Sequence, residues 1–377
     1  MPKVENFGQA VAWLEVAAPV LVRASVREMR DGTTAFPPQA GAGYEAFWLR
    51  DYAYVLESCS SALTPEELRR ACSLFLGALD PSGAGVDCIK FDGTAVYQPG
   101  YGSMGNNPVA DGSLFTIEMG WQTHLRLRDE EYLRGILPAL LKAHSAVPRN
   151  PENGLVHISA EGWDRCPYGF TDSVRKQGDE LFCSLLLVEA NRHLAAMMRE
   201  VHVADQAAHF DESAGNLTKQ IQATFWDEKT GLFLAATGQC RQPDLWGSAF
   251  AVCTGIASPE QSGEIARYFQ QHYDEVVKKG QLRHLPKGIY WDLACERDTY
   301  QNGGYWATPT GWLINTLELV DPALAERTLV ELVQDFQEHG VNEWFFGEAV
   351  HTHNYLASVT LPLAGARRLM ERRGAKH

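Results

Sequence analysis

Phe47-Trp48-Leu49-Arg50-Asp51-Tyr52-Ala53-Tyr54 opens one helix pattern, and Thr64-Pro65-Glu66-Glu67 opens the next after a short gap. The second stretch combines an N-cap threonine, a proline at the first helical position and a capping-box acid. That combination marks a tight turn between antiparallel helices. Ser258-Pro259-Glu260-Gln261 repeats it, and Asp321-Pro322 is a shorter version. Working outward, apolar residues at i, i+3, i+4 and i+7 place helices at 6–28, 47–61, 64–79, 111–127, 130–147, 179–200, 204–225, 244–256, 259–277, 304–319, 322–338 and 353–372. The connections between them alternate long and short. The long ones fall at about 29–46, 80–110, 148–178, 226–243, 278–303 and 339–352. Loops of that length inside a compact chain are usually functional.

Helices that alternate direction around a ring put every long link at one mouth. No Ser/Gly linker or charge block divides the chain, and no repeated consensus marks an open solenoid. The expectation is an all-α, single-domain (α/α)6 toroid over residues 1–377. Its inner ring is formed by the helices that follow the long links, with one decorated mouth and one plain one. A content of 45% hydrophobic and 21% charged residues can fill a sizeable core. The balance of 33 Lys+Arg against 47 Asp+Glu leaves −14, which argues against nucleic acid or an anionic membrane as partner. No stretch approaches ~20 apolar residues, so no transmembrane helix is expected. The N-terminus shows no basic-then-apolar leader. Eight scattered cysteines without a C-x-x-C read as reduced, buried thiols of a cytoplasmic protein. No cofactor or metal is implied, and the oligomeric state is left open.

The residues able to do chemistry gather at the ends of the long links. Arg50 and Asp51, among Trp48 and other aromatics, can hydrogen-bond several hydroxyls of one sugar while a ring stacks on it. The bland alternative is an ion pair at a helix start. In Glu161-Gly162-Trp163-Asp164-Arg165-Cys166-Pro167, an acid beside Trp163 can have its pKa raised enough to donate a proton near neutrality. Alternatively Asp164 caps the Cys-Pro bend. Asp179 reads as the N-cap of its helix, and Glu180 as a first-turn acid or a substrate contact. Asp111 and Trp246 begin two further inner helices. Gln301, Asn302 and Trp306 follow in a glycine-containing run that suits sugar hydroxyls and a flat ring face. Glu343 and Glu348 flank Trp344-Phe345-Phe346-Gly347. If that segment is extended, the two acids point to opposite sides and only one faces the pocket. Hydrolysis of a glycosidic bond needs one acid to protonate the leaving oxygen and one carboxylate to activate water or attack carbon. Asp164 and Glu343, from different links, are the candidates, with Glu348 the alternative base.

At these residues the chain resembles (α/α)6-barrel glycoside hydrolases of the family 63, trehalase and glycogen-debranching glucosidase type. Residues 161–167 are similar to their Gly-Trp/Met-Asp-x-Ser-Pro stretch, with Arg165-Cys166 in place of a small residue and Ser. Residues 301–306 resemble their Asn-Gly-x-x-Trp segment, and 342–345 their Asn-Glu or Tyr-Glu-Tyr-Phe segment. Trp48-Leu49-Arg50-Asp51 resembles their Arg-Asp substrate clamp, and 225–233 their Trp-Asp-x-x-Thr-Gly-Leu-Phe turn. The resemblance implies Asp164 as general acid and Glu343 as general base. It also implies inversion, with carboxyl groups ~6.5–9.5 Å apart, on a small soluble, α-linked glycoside. Competing expectations are a sugar epimerase or lyase on the same toroid, or a non-catalytic carbohydrate-binding protein.

Overall fold

The computed structural model describes residues 3–103, 107–159 and 171–374. Within them lie thirteen α-helices: α1 (Phe7–Ser25), α2 (Leu49–Cys59), α3 (Pro65–Gly77), α4 (Gly112–Leu127), α5 (Glu130–Ser145), α6 (Leu181–Glu200), α7 (Ala204–Thr224), α8 (Leu245–Cys253), α9 (Pro259–Gln271), α10 (Tyr273–Val276), α11 (Thr310–Leu317), α12 (Pro322–His339) and α13 (Ala357–Gly374). Both expected capping boxes form. The Thr64 hydroxyl accepts from the Glu67 N–H at 3.2 Å, and the Glu67 carboxylate accepts from the Thr64 N–H at 2.8 Å. Ser258 and Gln261 do the same for α9. Asp321 caps α12 by accepting from Leu324 N–H at 3.0 Å. Each cap contributes about 1 kcal/mol and fixes a short turn.

α2, α4, α6, α8, α11 and α13 are the helices that follow the long links. Each packs on the next, and α13 packs back on α2, so the six close a cycle. α1, α3, α5, α7, α9 and α12 pack against members of this cycle. Burial separates the two sets. Every residue of α8 and α11 is buried, and in α2 all but Glu57 are. α9 buries only Ile265, Ala266 and Phe269, a narrow stripe of an outer amphipathic helix. Two long apolar helices belong to the array itself. Leu181–Glu200 and Phe7–Ser25 are long and apolar enough, by length and composition, to cross a membrane. In the first, 78% of the apolar window is buried within the helix array. The second packs on α12 and α13.

The all-α expectation needs correction. The long links pair into short antiparallel ladders. Val277–Lys278, Gln281–Arg283, Tyr305–Trp306, Asn342–Phe346 and Ala349–His353 form a five-stranded sheet, and Ala46–Trp48, Cys88–Lys90 and Ala95–Val96 a three-stranded one. Helices expected from 47, 304 and 353 therefore begin later, at Leu49, Thr310 and Ala357. Trp306 pairs with Trp344, and Trp48 with Cys88. Such partners lie in different links, so no periodicity within one link announces them.

The far mouth is not plain. Arg368 of α13 reaches Glu57 of α2 at 3.1 Å and the Cys253 thiol of α8 at 3.2 Å. His193 of α6 meets Glu118 of α4 at 3.0 Å and stacks on Trp121. Cys59, Cys72, Cys88, Cys183, Cys240 and Cys253 are buried and free, and Cys295 is free and half-buried, as expected of reduced thiols; Cys166 lies outside the described residues.

α11 and α13 meet backbone to backbone. A Cβ on Gly365 would lie 2.3 Å from Gly311 Cα, and one on Gly311 would lie 2.4 Å from the Leu361 carbonyl. Gly311→Ala or Gly365→Ala must push the two inner helices apart. Each is expected to lower stability by about 1–3 kcal/mol, read as a shift of the urea midpoint at unchanged m-value.

Candidate active site

The inner helices run so that their N-terminal ends share one mouth, and the acids gather there. Arg50, in the first turn of α2, is 6% exposed. Its Nε and Nη2 donate to Asp111 at 2.8 and 3.2 Å, a bidentate pair across to the start of α4. Asp87 lies 3.6 Å from Nη2 on the other side. Beside Arg50, Asp51 accepts from the Tyr355 hydroxyl at 2.7 Å. Glu343, 2% exposed on the strand Asn342–Phe346, accepts from the Tyr44 hydroxyl at 2.7 Å and from the Thr352 side chain. Asp172 accepts from Gln301 Nε2 at 2.9 Å and couples electrostatically to Arg50, Asp111, Asp51 and Glu343.

Arg50 thus stands among Asp111, Asp87, Asp51 and Asp172 in a floor that also holds Glu343, and burial governs the titration of Asp51, Asp87, Asp172 and Glu343. It pushes Glu343 up to about 7, with Asp51 and Asp172 adding repulsion against the bonds from Thr352 and Tyr44. It pushes Asp87 to about 7 and Asp51 to about 6, each partly restrained by Arg50. Asp172 is raised for the same reason. Burial also lifts the hydroxyls of Tyr44, Tyr300 and Tyr355 well above the phenol range. They stay neutral donors.

Trp48 forms an aromatic wall above this floor. Tyr44 meets it edge-on at 5.0 Å, and Tyr101 stacks on it at 5.8 Å. A cavity of about 470 Å3 lined by Tyr44, Tyr101, Lys90 and Gly43 adjoins the wall.

The structure places the expected residues in three groups. Arg50, Asp51, Asp111, Glu343 and Trp48 come together. Asp164 and Trp163 lie outside the described residues. The others are engaged within the protein, and of them Gln301 reaches the floor through Asp172. Gln301 accepts from Ser173 N–H and hydroxyl while holding Asp172. Asn302 bonds the Cys295 carbonyl and the Trp291 N–H. Trp306 is fully buried with its indole N–H on the Tyr300 carbonyl. Trp246, 1% exposed, stacks on His284 at 3.5 Å. Glu180, rather than Asp179, is the N-cap of α6, accepting from Cys183 N–H at 2.6 Å and pairing with buried Lys176 at 3.1 Å. Glu348 sits exposed in the turn between two strands, which leaves Glu343 as the buried acid of that hairpin.

Sequence reading gave no role to Tyr44, Asp87, Tyr300 and Tyr355, and passed over Asp172. The available signal was position: Tyr44 and Tyr355 each lie a few residues before an inner helix. Asp87 carried none, because its strand pairing defines its place. Among the described residues, no group of three or more His, Cys, Asp or Glu could hold a metal ion.

Residues 113–243 match the family model for the mannosylglycerate hydrolase MGH1-like glycoside hydrolase domain. No curated protein matches the chain. Solved structures do. The GH63 mannosylglycerate hydrolase from Thermus thermophilus in complex with glucose is 16% identical, with a TM-score of 0.67, over 93% of this chain and 99% of that one. A rhamnosidase from Klebsiella oxytoca with rhamnose bound is 14% identical, with a TM-score of 0.65, over 96% of this chain and 64% of that one. The GH78 family rhamnosidase of Bacillus sp. GL1 is 17% identical, with a TM-score of 0.63, over 94% of this chain. This chain spans only 34% of the Bacillus enzyme. At such identities these likenesses carry the fold, and the family model carries the domain type. Residues 113–243 are thus similar to a glycoside hydrolase domain, in line with the expected resemblance to family 63-type glycoside hydrolases.

The floor makes a prediction about stability. Glu343 ionises at a higher pH folded than unfolded. Its contribution is therefore full below the unfolded value and lost as pH rises from about 4.5 to about 7. Glu343→Gln removes the buried charge and keeps an acceptor for Tyr44. The variant is expected to be more stable than the parent at pH 8, by on the order of 1–3 kcal/mol. The gap should close near pH 4.5 in denaturant titrations, and equal stability at both pH values would contradict this account.

Proposed function

We propose that the chain is an inverting glycoside hydrolase on an (α/α)6 toroid, a single domain over residues 1–377, acting on a small, soluble, α-linked glycoside in the cytoplasm. The observation that carries the reading is Glu343. It is a fully buried carboxyl poised at about 7, hydrogen-bonded by Tyr44, on the same floor as the Arg50–Asp111 clamp. A general base works best with a pKa near the operating pH.

In this mechanism Glu343 takes a proton from water as the water oxygen bonds to the anomeric carbon. Asp164 gives its proton to the leaving oxygen as the glycosidic C–O bond breaks. The free sugar emerges with inverted configuration, and both carboxyls are restored by proton exchange with solvent. Arg50 and Asp51 hold the sugar hydroxyls from below, and Trp48 packs on its face. Asp172 lends negative charge near the carbon that becomes oxocarbenium-like. The free thiols support the cytoplasmic assignment.

Asp164→Asn and Glu343→Gln are each expected to cut turnover by orders of magnitude, with folding intact. NMR of the first-formed anomer, on a panel of α-linked disaccharides and aryl glycosides, reads reaction and stereochemistry together. Near-normal activity in either variant removes the role given to that residue.

The pH profile offers a separate check. The ascending limb of kcat/KM should lie near 7, where Glu343 loses its proton. The bond from Tyr44 favours the ionised form. Tyr44→Phe should therefore move the ascending limb to higher pH, by about half a unit to one unit, while the high-pH plateau persists.

A further inference from the structure

Asp87 is a buried acid that the proposed chemistry does not use. It is 3% exposed and precedes the strand Cys88–Lys90. Its backbone does the structural work there. The N–H donates to the Val96 carbonyl at 2.8 Å, and the carbonyl accepts from Leu49 N–H at 3.2 Å. The strand and the start of α2 are therefore joined without the side chain. That side chain is poorly served. Oδ1 lies 3.6 Å from Arg50 Nη2, and Oδ2 meets no donor among the described residues. The Tyr101 backbone N–H adds a smaller contribution in favour of the ionised form. A carboxylate kept for structure alone would have its full set of donors, as Asp179 has in Asn150, Asn153 and His157.

The geometry around Arg50 gives the half-served carboxylate a task. A guanidinium carries its N–H groups in a rigid planar fork. Asp111 takes the Nε and Nη2 edge in a bidentate pair. Asp87 comes to Nη2 from another side. Both acids sit at one end of the fork, and among the described residues no hydrogen bond engages Nη1. A second carboxylate at Nη2 resists swinging of the fork about the Asp111 pair. Facing Asp87 are Arg50 of α2, Asp111 before α4 and Asp172 of the third long link. The Cys88 thiol beside it is kept neutral by burial, and Lys90 further along the strand lies over the Tyr101 ring. Burial pushes Asp87 to about 7; Arg50 restrains the rise, and Asp172 and Asp111 add to it. Above that pH Asp87 is ionised and attracts the guanidinium. Below it the carboxyl is neutral and the attraction is lost.

We propose that Asp87 is a positioning residue: acting through Arg50, its carboxylate holds the guanidinium fork so that the Nη1 end meets the sugar, and protonation releases that hold. The inference rests on the hydrolase reading, in which Arg50 binds the glycoside.

The test is the ratio of KM in Asp87→Asn to KM in the parent, on an α-linked glycoside that the parent hydrolyses. The amide matches the neutral carboxyl in shape, so the variant stands for the parent at low pH. The ratio should be about one at about pH 5.5 and rise to about ten at about pH 8.5, the effect of one lost charge-assisted contact, with kcat within about twofold throughout. Titration of Asp51 and Glu343 occurs in both proteins and cancels in the ratio. A ratio that stays constant with pH, or a loss carried by kcat, overturns the positioning role and leaves the hydrolase reading standing. Carboxyl 13C NMR supplies an arm that needs no substrate. The Asp87 resonance, assigned by its loss in Asp87→Asn or in Asp87→Glu, should titrate near 7 in the parent and at higher pH in Arg50→Gln, because the guanidinium restrains it. If the parent turns over no glycoside but the resonance shifts in this way, the hydrolase reading fails and the Asp87–Arg50 pair stands. A resonance that Arg50→Gln leaves unmoved ends the pair, whatever the enzyme turns over.

Discussion

The guanidinium of Arg50 stands at the convergence of α2 and α4 with the links before them, bonded to Asp111 and close to Asp87. Much of the mouth is arranged around that single cation. Coulomb attraction in a low-dielectric floor is strong, but one positive charge cannot neutralise five acids. Asp111 and Asp87 take the nearest positions. Asp51, Asp172 and Glu343 are left to hydrogen-bond donors: Tyr355, Gln301, Tyr44 and Thr352. Burial is what raises the acids, and for Glu343 the neighbouring Asp51 and Asp172 charges add to it while the bonds from Thr352 and Tyr44 hold it back.

The two ends of the inner ring obey one electrostatic rule. Helix N-termini carry partial positive charge and C-termini partial negative charge. Acids therefore cluster at the site mouth, where Glu180 and Asp244 cap α6 and α8. Arginines cluster at the other end. Arg372 donates to the Cys253 carbonyl at 2.6 Å, and Arg192 to the Thr254 carbonyl at 2.9 Å, both at the end of α8. The far end is thus a capped and cross-linked closure. It holds six parallel helices together where no substrate site would separate them.

Helix order, the short turns and the inner–outer alternation were legible because each is written locally. Thr64-Pro65-Glu66-Glu67 states its own conformation. Arg50, Asp51, Asp111 and Glu343 were legible for a related reason: a charged residue among aromatics at the end of a long link has few bland roles. Gln301 holds the floor acid Asp172, whereas Asn302 and Trp306 bond within their own link. Their composition suits a sugar, but the link that carries them must itself be folded, and Asn302 and Trp306 hold it to Cys295, Trp291 and Tyr300. A buried link needs internal partners for its polar groups, and one sequence does not say which polar residues serve the chain and which serve a ligand. The strands escaped notice because they are short and pair across links.

Backbone conformation shows how much the hairpin around Glu343 is constrained. Tyr300 and Thr352 both adopt left-handed backbone angles, with φ of 40° and 53°. Such conformations cost of order 1–3 kcal/mol each in residues other than glycine. Both side chains bear on Glu343, Thr352 by a hydrogen bond and Tyr300 by its electrostatic proximity. The Tyr300 carbonyl is held by Gly304 N–H and by the Trp306 indole. Thr352 is held by the ladder that pairs Asn342 with His353 and Trp344 with His351. A relaxed backbone at either residue would turn its side chain away from the carboxyl. The five-stranded sheet that breaks the all-helical pattern therefore keeps two unfavourable backbone angles in place, so that one buried acid is met from both sides.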